Sequence, residues 1–175
     1  LLATLFVLGG MVVTNLIYTV LTVYNPQDIQ ARGLSVANNM ADHIIAATAE
    51  EAKEWGFTAG YVSALQEGKS ADSSLRSKID NFREKGDKDV QAAFKLAREL
   101  AAQDWAGNEF NNALQKSEEQ WSQLQQTRQR VDNQSKLTAS EWVKQMTLFI
   151  KVFSNLRQFA FVPSNHLEGA IYNNG

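Results

Sequence analysis

The first 24 residues, LLATLFVLGGMVVTNLIYTVLTVY, carry no charged side chain, and this run limits what the chain can fold into more than anything after it. A helix rises about 1.5 Å per residue, so the run reaches roughly 36 Å and exceeds a hydrocarbon core of about 30 Å. It is longer than the roughly 7–15 apolar residues of a secretory signal core, and no A-x-A pattern lies near Tyr24. A core helix apolar on every face would need more cover than a domain of this size provides. The expectation is a retained transmembrane helix over residues 1–25 followed by a helical domain over residues 26–175. Between Asn25 and Ile44 only Arg32 is basic, against Asp28 and Asp42, and the positive-inside rule then places the domain in the periplasm, outside the cell membrane.

The rest of the composition removes whole classes of function. Net charge is −2, and no basic stripe with interleaved aromatics is present, which argues against nucleic acid as a partner. The absence of Cys excludes disulfides, thiol chemistry and Cys-based zinc sites. His43 and His166 are far apart and show neither H-x-x-x-H nor H-E-x-x-H spacing, so neither a metal nor another cofactor is expected. No nucleophile stands beside a base, no Gly-rich phosphate loop follows a strand, and no paired carboxylates come with supporting groups; the chain does not read as an enzyme.

Only Pro26 and Pro163 interrupt the chain, and the residues between them are free to be helical. Met40, Ile44, Thr48 and Trp55 mark the apolar face of a long helix from Gln27 to about Gln66. Gly68 to Asp72 reads as a turn, with Ser70 or Asp72 capping the next helix. That helix carries Leu75, Ile79, Phe82, Val90, Phe94 and Ala97, and Gly86 weakens it by about 1 kcal/mol relative to Ala without ending it. Beyond Ala106-Gly107-Asn108 a third helix presents Phe110, Leu114, Trp121, Leu124 and Val131. Thr138-Ala139-Ser140-Glu141 is a capping box, and Trp142, Met146, Phe149, Phe153, Leu156 and Ala160 then form a heptad seam that Pro163 stops. Asn165 with Glu168 caps a short further helix. No hairpin signal appears, so the fold class is all-α: a transmembrane helix followed by an antiparallel four-helix bundle.

Two segments repeat a pattern, Arg83 with Asp87 and Arg128 with Asp132. At a spacing of four, each pair can meet on one helical face as a solvated ion pair. Alternatively Arg83 or Arg128 turns inward as a fork for a carboxylate or oxyanion ligand, a role open also to Arg157 beside the seam residue Leu156. The four tryptophans, Trp55, Trp105, Trp121 and Trp142, sit mostly on the seams and suit core packing or a ligand cage. His43, next to Ile44, reads as a boundary residue.

Glu50-Glu51-Ala52-Lys53-Glu54-Trp55-Gly56-Phe57-Thr58-Ala59-Gly60-Tyr61 resembles the E-R-G-x-(S/T)-(A/N) segment that closes the first long helix of bacterial nitrate/nitrite-sensor-like ectodomains. The likeness continues in order through Arg83-x-x-x-Asp87, LQQTRQRVD (124–132), LTASEWVKQM (137–146) and NLRQFAFVP (155–163). The resemblance implies the extracytoplasmic, all-helical part of a chemoreceptor, histidine kinase or diguanylate cyclase, with a second helical module following Gly175. Ligand contact would fall on Trp55, Arg83, Arg128 and Arg157, and the domain would act as a homodimer or higher oligomer on a small anion or a partner protein. Trp55 stands where the family carries Arg, and one indole N–H does not replace a guanidinium fork, so nitrate or nitrite does not follow from the likeness. The competing expectation is a membrane-anchored assembly protein whose bundle docks on a larger complex.

Overall fold

Apolar and small residues return at alternating spacings of four and three through most of the chain, and the computed structural model shows, among the residues it describes, four helices on those seams. It describes residues 25–69, 72–103, 106–134 and 136–159. The helices are α1 (Asn25–Gln66), α2 (Ser73–Ala101), α3 (Asn108–Asp132) and α4 (Ala139–Phe159), and no strand occurs among the described residues. The apolar run Leu1–Tyr24, Ser70, Trp105, Pro163 and the Asn165/Glu168 cap lie outside the described residues. Among those described, no helix is long and apolar enough to cross a membrane. The chain divides into two units between Val36 and Ala37. In the first, the opening turns of α1 leave Leu34 54% exposed. The second holds the rest of α1 together with α2, α3 and α4.

The buried positions of this second unit define a heptad register on every helix: Met40, Ile44, Ala47, Glu51, Glu54, Thr58 and Tyr61 on α1, and Ile79, Gly86, Val90, Ala93, Ala97 and Leu100 on α2. On α3 they are Phe110, Leu114, Ser117, Leu124, Arg128 and Val131, and on α4 Trp142, Met146, Phe149, Phe153 and Leu156. Contacts fix the helix directions. His43 meets Asp89 and Glu54 meets Arg83, so α1 and α2 are antiparallel. Arg76 meets Asp132 and Arg98 meets Glu118 between α2 and α3, and Trp121 packs on Phe149 between α3 and α4. The result is an up-down-up-down helical bundle. Its aromatic core is Phe94, Phe149 and Phe153, with ring centroids 5.3 Å apart for Phe94–Phe153 and 5.2 Å for Phe149–Phe153.

Helix ends follow local chemistry. Asp72 accepts from the Ser74 N–H at 2.8 Å and caps α2. At α4, Thr138 Oγ1 accepts from the Glu141 N–H at 3.1 Å while Glu141 Oε2 accepts from the Thr138 N–H at 2.8 Å, the reciprocal capping box. These backbone donors hold both carboxyls, Asp72 and Glu141, below the usual carboxylate range. Gly68 leaves α1 at a φ of 71°, the left-handed region a glycine enters without steric cost.

The register of α1 corrects the sequence reading by one position. Thr48 and Trp55 were expected on the seam, but the seam runs through Ala47, Glu51 and Glu54, and Trp55 is 39% exposed. A purely apolar reading had no means of placing two glutamates in a core.

Candidate functional site

Where the heptads of α1, α2 and α3 call for hydrocarbon they supply Glu51 and Glu54, Arg83, and Arg128. The Arg128 side chain is 2% exposed and those of Glu51 and Glu54 are fully covered. Arg128 Nε donates to Glu54 Oε1 at 2.9 Å, Nη1 to Asp87 Oδ1 at 2.7 Å, and Nη2 to Glu51 Oε2 at 2.8 Å and to Glu54 Oε2. Its guanidinium carbon lies 5.1 Å from the ring centroid of Trp121, so one face of the cation meets an aromatic surface. One guanidinium thus joins three helices.

A second arginine extends the cluster towards the surface. Arg83 Nε donates to Glu54 Oε1 at 3.0 Å, and Nη1 reaches Asp132 at 2.9 Å and 3.1 Å. Arg76 then pairs with Asp132 at 2.8 Å. The expected pairs within each helix, Arg83 with Asp87 and Arg128 with Asp132, are therefore exchanged: Arg128 takes Asp87 and Arg83 takes Asp132. The exchange has a physical cause. Arg128 lies on the α3 seam and points into the bundle, whereas Asp132 lies one turn on at the exposed rim, within reach of α2.

The charges here do not balance pairwise. Arg128 is one cation against Glu51, Glu54 and Asp87. Burial pushes the Glu51 carboxyl up to about 8; Arg128 opposes that shift, and the neighbouring Glu54 and Asp87 add to it. Asp87 is raised for the same first reason, loss of hydration. Burial alone would lower Arg128, but Glu51 and Glu54 hold it above its ordinary value. Glu51 Oε1, Arg83 Nη2 and the buried Thr58 hydroxyl have no hydrogen-bond partner among the described residues. Oε1 faces Gly86, where an added Cβ would sit 2.7 Å from it, so glycine is what lets α2 pass this carboxyl.

The four residues read from the sequence as ligand contacts separate into three places. Arg83 and Arg128 come together and share Glu54. Trp55 lies on the outer side of α1, and its carbonyl accepts the Trp142 indole N–H at 3.0 Å. Arg157 is exposed near the far end of α4 and makes no ion pair with a described residue. The sequence reading missed Glu51, Glu54 and Gly86. The available signal was the spacing: stepping from Met40 by four and three lands on Ile44, Ala47, Glu51, Glu54 and Thr58.

A separate groove of about 410 Å³ lies at one end of the bundle. Val62, Leu65, Val131 and Leu137 supply its apolar lining, with Gln134 and Lys136 among the polar residues; none of the four expected contacts lines it. Among the described residues no group of His, Asp and Glu is arranged to hold a metal ion. The carboxylates of the cluster face guanidinium groups instead, so the arrangement can tie helices together and hold a proton. No protein-family profile, curated protein or solved structure matches the chain.

Proposed function

We propose that the chain is the extracytoplasmic sensory portion of a bacterial transmembrane receptor, most simply a methyl-accepting chemotaxis protein, with Leu1–Tyr24 as its membrane anchor. A small ligand or partner protein binds the bundle, and its preference for one helix arrangement shifts a two-state packing of α1. The observation that supports this reading is the cluster itself. In its middle, α1 is held to α2 and α3 by Glu51 and Glu54 against Arg83 and Arg128, where a seam of hydrocarbon would be continuous and indifferent to charge. Ion pairs in low dielectric have few intermediate geometries, which suits a switch between discrete arrangements. The domain is read as periplasmic and as a homodimer or higher oligomer, in keeping with the resemblance to nitrate/nitrite-sensor-like ectodomains. Of the two clustered arginines Arg83 is the more accessible, 15% exposed against 2% for Arg128, and it stays with Trp55 as a proposed ligand contact.

A thermal-shift screen of the full chain in mild detergent against small anions and amino acids tests the reading. A saturable rise in Tm with one ligand class, lost in Arg83→Ala but kept in Arg157→Ala, is the expected result. No rise with any class would overturn the small-ligand form of the proposal.

One observation favours a second reading, a membrane-anchored assembly protein: the groove at the end of the bundle is not lined by any of the arginines. That reading predicts stable co-purification with a larger complex and no ligand-dependent Tm.

A further inference from the structure

Three features stand outside the ligand reading: the groove at the end of the bundle, the exposed side chain of Ile45 on α1, and the buried carboxyl of Glu51. Nothing among the described residues covers the first two, and the groove is partly polar, with Gln134 and Lys136 in its lining. The third is built on every side.

We infer that Glu51 is a proton-binding site whose ionisation loosens α1 from α2, so that the bundle responds to alkaline pH through the Glu51–Arg128–Gly86 contact. The groups facing Glu51 come from three helices. From α1 there is Glu54, fully buried one turn away and bound to both Arg83 and Arg128. From α2 there are Asp87, on Arg128 Nη1, and Gly86, whose backbone closes directly over Oε1. From α3 there is Arg128, the one cation Glu51 touches among the described residues. The charged residues of α4, Glu141, Lys144, Lys151 and Arg157, are all exposed or half-exposed and contribute none.

With a proton on Oε1, Arg128 faces two carboxylates and one neutral acid. When the proton leaves for water, a third negative charge appears around Arg128, the nearest other cation, Arg83, being already bound to Glu54 and Asp132, and Oε1 becomes a bare anionic oxygen against the Gly86 backbone. A buried anion so placed is costly, and the nearest relief is hydration, which requires α2 to withdraw at Gly86. The carboxyl titrates near pH 8 in the closed arrangement, which sets the window. Because its folded value is raised, the stabilisation is present below the ordinary carboxylate range and is lost as pH rises through about 8.

This inference does not depend on the receptor reading, since it concerns helix packing in the isolated chain and needs neither ligand nor partner. The chain has no Cys, so spin labels at Ala46→Cys on α1 and Lys88→Cys on α2, both exposed positions, report the spacing of the two helices without interference. With the full chain in mild detergent, the label-to-label distance should lengthen as pH rises from the ordinary carboxylate range to about 8 and change no further above it. Glu51→Gln, which keeps the neutral shape, should hold the short distance throughout, and His43→Gln should behave as wild type. An unchanged distance in the wild type, or an unchanged transition in Glu51→Gln, overturns the inference. Should Glu51→Gln fail to fold, infrared titration of the wild type decides: loss of a buried protonated-acid C=O band in step with the distance change supports the inference, and absence of such a band at about pH 6 overturns it.

Discussion

Arg128 is the residue on which most of the molecule's unusual chemistry converges, and its removal should cost more than any surface charge. Arg128→Met takes their shared cation from the Glu54 and Asp87 carboxylates and the donor from the protonated Glu51, and breaking a buried pair from one side destabilises by about 3–5 kcal/mol. Urea denaturation at neutral pH measures it; a loss under about 1 kcal/mol would mean that the cluster is well hydrated. Gly86 supplies a sharper residue-scale test. In an ordinary helix Gly→Ala stabilises by about 1 kcal/mol. Here the new Cβ would meet Glu51 Oε1, whose partner oxygen is tied to Arg128, so Gly86→Ala should destabilise the wild type. Combined with Glu51→Ala it should stabilise instead, and a double-mutant cycle reads that change of sign.

Helix ends and helix interiors show unequal legibility at the scale of the element. The capping box at Thr138 and the cap at Asp72 could be read from the sequence because each depends on three or four neighbouring residues and nothing else. Thr138→Ala should cost about 1 kcal/mol by equilibrium unfolding. The Asp72 and Glu141 carboxyls sit below their ordinary values, so their caps contribute above the usual carboxylate range and are lost as pH falls through the lowered values; the protection factors of the Ser74 and Thr138 amides, corrected for the intrinsic pH dependence of exchange, should fall in acid. At the C-terminal end of α3, Gln134 holds a φ of 49°, a conformation glycine adopts without penalty. Gln134→Gly should therefore be neutral or raise stability, by up to about 1 kcal/mol, where loss of a side-chain contact alone would lower it. The interior of α1 was harder. Periodicity marks a long amphipathic helix, but its apolar residues point to a seam through Thr48 and Trp55, because the true seam positions at 51 and 54 are glutamates. The arginine pairs were misassigned for a related reason: spacing within a helix is visible in one dimension, whereas the exchange of Asp87 and Asp132 exists only once α2 and α3 are side by side.

For the molecule as a whole, the all-helical bundle was legible because two prolines and four amphipathic runs leave little else. What the pattern could not express is how far apart the decisive partners lie: Arg128 pairs with Asp87 and Glu51, 41 and 77 positions upstream. Contacts of such separation form late, after the helices have met, so Arg128→Met should accelerate unfolding far more than it slows folding, as a stopped-flow chevron would show. Replacing the ionic centre wholesale is a different experiment. Arg128→Met with Glu51→Leu and Glu54→Leu removes together the three most deeply buried ionisable side chains among the described residues, and such exchanges are often neutral or stabilising by about 1–4 kcal/mol. Hydrocarbon, however, is content with many neighbours. A guanidinium that finds acceptors only when three particular faces coincide makes each misrotated or misthreaded assembly of these helices a place where an ion is stranded in oil, so the triple variant should melt higher while giving broader amide resonances. In that light the cluster selects one arrangement from several of similar depth.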